Sequence, residues 1–225
     1  MYVTQESSMP HLLVTPPGVR SVKRVGACVQ ERKISRTSMI VGIDEVGRGA
    51  LAGPVVAAAC VLPEATHFPV LITDSKQMTP AEREESFVWL TQHCIFGIGS
   101  ANAQTVDQIG IVASTEIAMQ HAVAEVAKVC SDLYLLVDGR DGFWFDWPHS
   151  SIIHGDELEP AIGAASIIAK VTRDHLMVRA ATAYKEYGFD THKGYGAPSH
   201  LTAIRKHGPS AFHRKSFLRR VLEGQ

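Results

Sequence analysis

Asp44 and Glu45 close an apolar stretch that begins at Met39, Asp138 closes the run Leu133 to Val137, and Asp156 follows Ile152 to His154. An acid set against an apolar strand is costly unless something compensates it, and four converging carboxylates would drive one another toward the neutral form. Divalent cations remove both penalties, and a ligand set made only of oxygens favours Mg²⁺ or Mn²⁺ over zinc. On an ideal strand Asp44 and Glu45 point to opposite faces. Both therefore reach one site only if the backbone turns immediately after Asp44, which Gly47 and Gly49 would permit. Taken singly, each acid is more simply a helix cap or a surface ion pair; four of them at strand ends weaken that alternative.

Two other patterns could carry chemistry. Gly47, Gly49 and Gly53 after a strand have the look of a dinucleotide fingerprint, but Pro54 and a β-branched apolar run follow where a phosphate-cradling helix would have to start. His192, His200, His207 and His213 invite a zinc reading, yet their spacing fits no zinc pattern and no cysteine is near. They are read instead as an extension of a basic face, partly protonated beside phosphate.

The elements that position the acids follow from periodicity. Met39 to Asp44 and Val55 to Leu62 read as strands on either side of a glycine-rich turn. Thr79-Pro80 with Glu82, Glu84 and Glu85 starts a helix that runs to about His93. Cys94 to Ala101 is a third strand, Val106 to Val129 a helix, Leu133 to Val137 a buried strand and Ser151 to His154 a short one. A long helix runs from Pro160 to about Tyr187, buried on its alanine- and isoleucine-rich first half, and Pro198 to His207 and Lys215 to Leu222 read as short basic helices. This order gives an α/β layer with a C-terminal helical lobe, divided as a flexible arm over residues 1–38, a catalytic domain over 39–190 and a basic substrate-binding lobe over 191–225.

At 225 residues and 45% apolar composition the chain can bury one substantial core. The four cysteines form no Cys-x-x-Cys pair and read as reduced thiols of a cytoplasmic protein. The longest apolar run is too short to cross a bilayer, so no membrane partner is expected. Formal net charge is −1, but Ile40 to Thr191 holds 20 acidic and 9 basic residues, whereas His192 to Arg220 holds seven Lys or Arg and no acid. Such segregation suits a protein that holds metals with one region and phosphates with another.

Taken together these residues resemble a known family. Gly42-Ile43-Asp44-Glu45-Val46-Gly47-Arg48-Gly49 and Gly53-Pro54-Val55-Val56-Ala57 are similar to the opening signature of ribonuclease HII. Asp74-Ser75-Lys76, Val137-Asp138-Gly139, Gly155-Asp156, the run Ala164 to Asp174, His192-Lys193-Gly194-Tyr195-Gly196 and His213-Arg214-Lys215-Ser216-Phe217 follow in the family's order. The resemblance implies a ribonuclease-H-like fold, a mixed five-stranded sheet flanked by helices with a helical lobe over the substrate. It implies that Asp44, Glu45, Asp138 and Asp156 bind the metals, that Gly47, Arg48 and Gly49 meet the ribose 2′-hydroxyl, and that Tyr195 packs on the neighbouring deoxyribose. Lys76, Ser166, Lys170 and Arg214 are implied as phosphate contacts. Leu158 departs from the pattern, standing where the family usually has a basic residue.

The expected chemistry is hydrolysis with two Mg²⁺ or Mn²⁺ ions about 3.5–4 Å apart, leaving 3′-hydroxyl and 5′-phosphate ends. The expected partners are RNA/DNA hybrid and duplex DNA containing ribonucleotides, bound by a monomer. Two alternatives stay open: a related nuclease of the same fold acting on other structured nucleic acids, and a binding module of that fold without activity.

Overall fold

Seven residues in a row on one strand, Val55–Val61, are buried, and that strand lies inside the sheet beside its central one. The computed structural model describes residues 38–64 and 67–219. The arm expected over residues 1–38 therefore lies outside the described residues except for Ser38, as does everything after Arg219. Among the described residues the order is β1 (Met39–Val46), β2 (Val55–Val61), α1 (Pro80–His93), β3 (Ile95–Ala101), α2 (Ala103–Ile109), α3 (Ile111–Ala127), β4 (Leu133–Asp138), β5 (His149–Ile152), α4 (Gly155–Leu158), α5 (Pro160–Ala183), α6 (Phe189–His192) and α7 (Pro198–His207), with single 3₁₀ turns at Lys185–Tyr187 and Lys215–Phe217.

The sheet is mixed and five-stranded, in the order β3-β2-β1-β4-β5. β1 is antiparallel to β2, β2 to β3, and β1 and β5 each run parallel to β4. Helix α3 covers one face, where Val41, Ile43, Ala57, Ala59, Leu135 and Val137 meet Ala118, Met119 and Ala122. Helices α1 and α5 cover the other, where Ala58 and Cys60 meet Leu90, Ala164 and Ile168. A sheet buried on both faces needs continuous apolar strands rather than alternating ones, which is why β2 reads VVAAACV. Small residues let α5 come close: a Cβ on Gly42 would lie 2.0 Å from the carbonyl carbon of Ala161. A third cluster, with Ala52, Met177, Tyr187, Phe189, Ile204 and Leu218, underlies the C-terminal segments.

Thr79 caps α1 with the reciprocal box, its side chain accepting from the Glu82 amide while Glu82 accepts from the Thr79 amide. The helix expected from Val106 to Val129 is two helices, because Gly110 (φ 81°, ψ 165°) interrupts it and α2 starts earlier on an Asn102 cap. Apolar spacing carries across the break and hides it. β5 is displaced by two residues from the expected Ser151 to His154, since His154 is left-handed (φ 56°) and turns the chain into α4. The long helix stops at Ala183 before a 3₁₀ turn. The helix expected from Lys215 to Leu222 opens as a 3₁₀ turn, its Lys215 and Ser216 amides donating to the Asp107 carboxylate of α2, and Arg219 after it is helical. Among the described residues no helix is long and apolar enough to cross a membrane.

Candidate active site

Parallel pairing puts Ile43 opposite Val137, so Asp44 and Asp138 arrive level with each other at the carboxyl ends of adjacent central strands, where sites of open α/β sheets form. Asp44 is 5% exposed. It lies on the α5 side of the sheet, where the Ser166 hydroxyl of that helix favours its ionised form. Asp138 Oδ1 accepts from the Gly155 amide at 2.8 Å, and this bond ties the strand to α4, whose first turn carries the buried Asp156. Burial, then the charges of Glu45 and Asp138, pushes the Asp44 carboxyl well above the usual carboxylate range. Asp156 is raised for the same reasons, burial first and then Asp138.

The backbone does not turn immediately after Asp44, contrary to the sequence expectation. β1 continues through Val46, with Glu45 opposite Ala57 and Val46 opposite Val56, so Asp44 and Glu45 leave the strand on opposite faces. Glu45 nevertheless stays electrostatically linked to the acids because β4 ends at Asp138, one residue short of it in register. Burial raises the Glu45 pKa, Arg48 opposes that shift, and Asp138 and Asp141 add to it. Arg48 Nη1 bridges Glu45 Oε1 at 3.2 Å and Asp141 Oδ2 at 2.7 Å. Lys76 does the same for the other pair, its Nζ 3.4 Å from Asp156 Oδ2 and 3.6 Å from Asp74 Oδ1.

The four acids thus share one end of the sheet, but among the described residues no three Asp, Glu, His or Cys side chains close on a single point. Of the four, Glu45 is paired with Arg48 and Asp156 with Lys76, each cation also holding an acid outside the set, Asp141 and Asp74. The donor set suits hard cations all the same. It consists of carboxylates alone, and two of them, Asp44 and Asp156, are buried with their ionised forms disfavoured.

Beside the acids, the turn after β1 and the loop around Tyr195 are joined. The Leu51 and Ala52 amides donate to the Gly194 carbonyl at 2.8 and 3.2 Å. Gly47 has φ +91° and Arg173 packs where its Cβ would be, whereas Gly49 is exposed with nothing within 4 Å of that position. Arg173 is fully buried, and its guanidinium donates to the carbonyls of Pro54, Lys193 and Ala52. It also lies 5.2 Å above the centre of the Tyr195 ring, itself 36% exposed.

The phosphate contacts implied by resemblance divide. Lys76 is largely exposed. Lys170 is partly exposed and paired with Asp174 at 2.9 Å. Ser166 is buried, 2.8 Å from Ser75 Oγ. Arg214 is corrected: it has no exposed surface, and its guanidinium donates to the Gly53 and Arg48 carbonyls, so it holds the turn from beneath instead of facing a phosphate. The histidines are also corrected as a group, since His200 and His213 are buried. Burial lowers the His200 pKa and takes that of His213 down to about 4, so these two add no positive charge to a basic face. Asp74, Asp141 and Arg173 are the neighbours that sequence reasoning passed over. Asp74 and Arg173 stand inside quoted motifs, while Asp141 had no signal beyond following Asp138 by three.

A family model described as Ribonuclease HII matches residues 41–220. The chain is 44% identical over 199 residues to a ribonuclease HII of Desulfitobacterium hafniense, covering 87% of this chain and 75% of that one. It is 47% identical over 182 residues to a ribonuclease HII of Chlamydia pneumoniae, covering 80% and 83%. The fold matches the ribonuclease H2 crystal structure from Pyrococcus horikoshii with a TM-score of 0.65 at 23% identity, covering 82% of this chain and 97% of that one. It also matches the structure of the PCNA:RNase HII complex from Archaeoglobus fulgidus, with a TM-score of 0.66 at 22% identity, over 79% and 94%.

Proposed function

Because the chain belongs to the ribonuclease HII family of hydrolases acting on RNA in RNA/DNA hybrids, we propose that it also cuts at single ribonucleotides embedded in duplex DNA. In this reading it leaves 3′-hydroxyl and 5′-phosphate ends and acts as a monomer. The observation that supports the reading is the juxtaposition of the acid end of the sheet with the turn from Gly47 to Ala52, whose Leu51 and Ala52 amides bond the Tyr195 loop at Gly194. Asp44, Glu45, Asp138 and Asp156 would hold two Mg²⁺ or Mn²⁺ ions. When bound, such ions activate water at neutral pH and neutralise charge developing on the scissile phosphate.

The chain's own residues supply orientation. Lys76, now on Asp156 and Asp74, has the exposure and reach to exchange those partners for a phosphate oxygen once cations neutralise the acids. Arg48 fixes Glu45 from the turn that would meet the sugar. Gly49 supports the sugar-facing role, since it has neither a positive φ nor an internal neighbour to require glycine, and a close backbone approach by a ribose would supply the requirement. Gly49→Ala should therefore leave unfolding free energy within about 0.5 kcal/mol of wild type while cleavage falls about a hundredfold through displacement of the sugar. A stability loss without a rate loss would place the constraint inside the protein.

Tyr195, half-exposed over Arg173, supports discrimination of the next sugar. Initial rates are to be compared on duplex DNA with one ribonucleotide, on a continuous hybrid and on plain DNA, with Mg²⁺ and with Mn²⁺. Cleavage of the first two and not the third is expected. Tyr195→Ala should slow the single-ribonucleotide substrate by roughly ten- to a hundredfold if the ring contributes as stacked aromatics do, and the continuous hybrid much less. Equal losses on both would make Tyr195 a packing residue.

A further inference from the structure

We propose that His213 and His200 form a neutral hydrogen-bonded relay that positions Tyr195, and that through it they set the preference for a ribonucleotide followed by DNA. The proposal rests on the reading of Tyr195 given above.

The bonding around the rings fixes their protons. The Ser210 amide donates to His213 Nδ1 at 3.0 Å, so that nitrogen is an acceptor and the ring proton sits on Nε2. His213 Nε2 lies 3.1 Å from His200 Nε2, which must accept it. The His200 proton is then on Nδ1, and Nδ1 donates to the Tyr195 carbonyl at 2.7 Å. His192, stacked on His200 with ring centres 4.3 Å apart, donates from Nε2 to the Tyr187 carbonyl and accepts the Gly194 amide on Nδ1. Gly194 and Tyr195 are thereby held by imidazoles through their backbone, while Arg173 lies over the Tyr195 ring.

A surface cluster of histidines would have no such directionality. Here every ring nitrogen of the three has a partner, and each proton position is dictated by a backbone group. A proton added to His200 would set its Nε2–H against that of His213, and one added to His213 would set Nδ1–H against the Ser210 amide. The first breaks the line between the rings; the second breaks the bond that anchors His213 to the Ser210 amide. The groups packed on the pair are His192 from α6, Phe189, and Tyr187 with His207 beyond it. Among the described residues no carboxylate is hydrogen-bonded or ion-paired to either ring, so nothing favours the charged form. The lowered pKa values of both rings agree with this geometry. Because the folded value lies below the unfolded one, the relay's contribution to stability is complete above about pH 6.5. It is lost as pH falls toward 4.

The test separates the relay from the reading of Tyr195. Nitrogen-15 NMR of the histidine rings at pH 7.5 should show His200 as the Nδ1–H tautomer and His213 as Nε2–H; the reverse tautomer at His200 overturns the proposal whatever the variants do. His200→Asn keeps a donor where Nδ1 was, and His200→Gln moves it to the Nε2 end. His200→Gln should lower cleavage of the single-ribonucleotide duplex about tenfold, the worth of one buried hydrogen bond, and the continuous hybrid less than about threefold, with His200→Asn recovering most of the difference. The double variant His200→Gln with Tyr195→Ala should show no preference beyond that of Tyr195→Ala. If Tyr195→Ala collapses the preference and His200→Gln does not, the relay is wrong and the reading of Tyr195 stands. If Tyr195→Ala leaves the preference intact, that reading fails first. Equal losses for Asn and Gln on both substrates would mark His200 as a packing residue and overturn the proposal.

Discussion

Asp44→Asn should abolish measurable turnover, with a loss of about 10³-fold or more, while the protein melts at the same temperature as wild type or higher when both are held in chelator. The first half follows from removing an ionisable ligand where several kcal/mol of charge stabilisation are needed. The second follows from burial. Asp44 is 5% exposed and its carboxyl titrates well above the usual range, for burial first and for Glu45 and Asp138 next. A carboxyl whose folded pKa is raised stabilises the fold fully only below its unfolded value near 4, and that contribution disappears as pH rises through the folded value. Near neutrality the ionised form opposes folding, and asparagine removes the opposition while keeping an oxygen for the Glu45 amide, which donates to Asp44 Oδ1 at 2.7 Å. Wild type should regain ground on the variant as pH falls toward 4. Added Mg²⁺ should raise the melting temperature of wild type well beyond that of the variant. Near-normal turnover by the pure, metal-saturated variant would remove Asp44 from the reacting centre, and a large drop in melting temperature would make it a structural residue.

Gly42→Ala should cost about 3 kcal/mol or more, among the largest losses available to a single methyl group. Overpacking usually costs about 1–3 kcal/mol because side chains can give way, but here the added Cβ would lie 2.0 Å from the Ala161 carbonyl carbon and 2.1 Å from its oxygen. Those atoms belong to the first turn of α5 and cannot change rotamer. The strand and the helix would have to separate, two residues before Asp44. Gly142→Ala, with nothing within 4 Å of its Cβ position, is the control and should be neutral. Urea unfolding of both variants gives the measurement; a loss under 1 kcal/mol at Gly42 would mean that α5 tolerates a shift the packing does not suggest.

The first four strands, the α1 cap and the α7 bounds are legible in the sequence because each rests on a local rule: an apolar run, a Thr-Pro start with Glu82 in the box, a Pro198 start before a basic last turn. That the acids share one end of the sheet is legible for a similar reason, since a charge in or just after an apolar run stands out. Long-range matters are not. Nothing local says that β1 carries on past Asp44, because its last pairs are decided by Ala57 and Val56 on the neighbouring strand. Nor does a basic motif say that Arg214 turns inward to backbone carbonyls or that His213 finds His200. Gly110 stops a helix whose apolar period continues unbroken on either side. The five-stranded mixed sheet came from family resemblance, and strand periodicity alone would have left its order open.

The position of β1 between an antiparallel and a parallel neighbour bears on the route by which the chain folds. A short turn joins β1 to β2, whereas β3 reaches β2 only after α1, and β4 reaches β1 only after β2, α1, β3, α2 and α3 have intervened. Closing that longer loop costs more entropy and is the slower event. Asp44 and Asp138 are therefore expected to meet late, after the β1-β2 hairpin has taken shape. Mutual repulsion between them then acts mostly on the rate of unfolding and little on the rate of folding. Chelation should accordingly shorten the lifetime of the native state, read from the unfolding limb of a chevron, and leave the refolding limb nearly where it was.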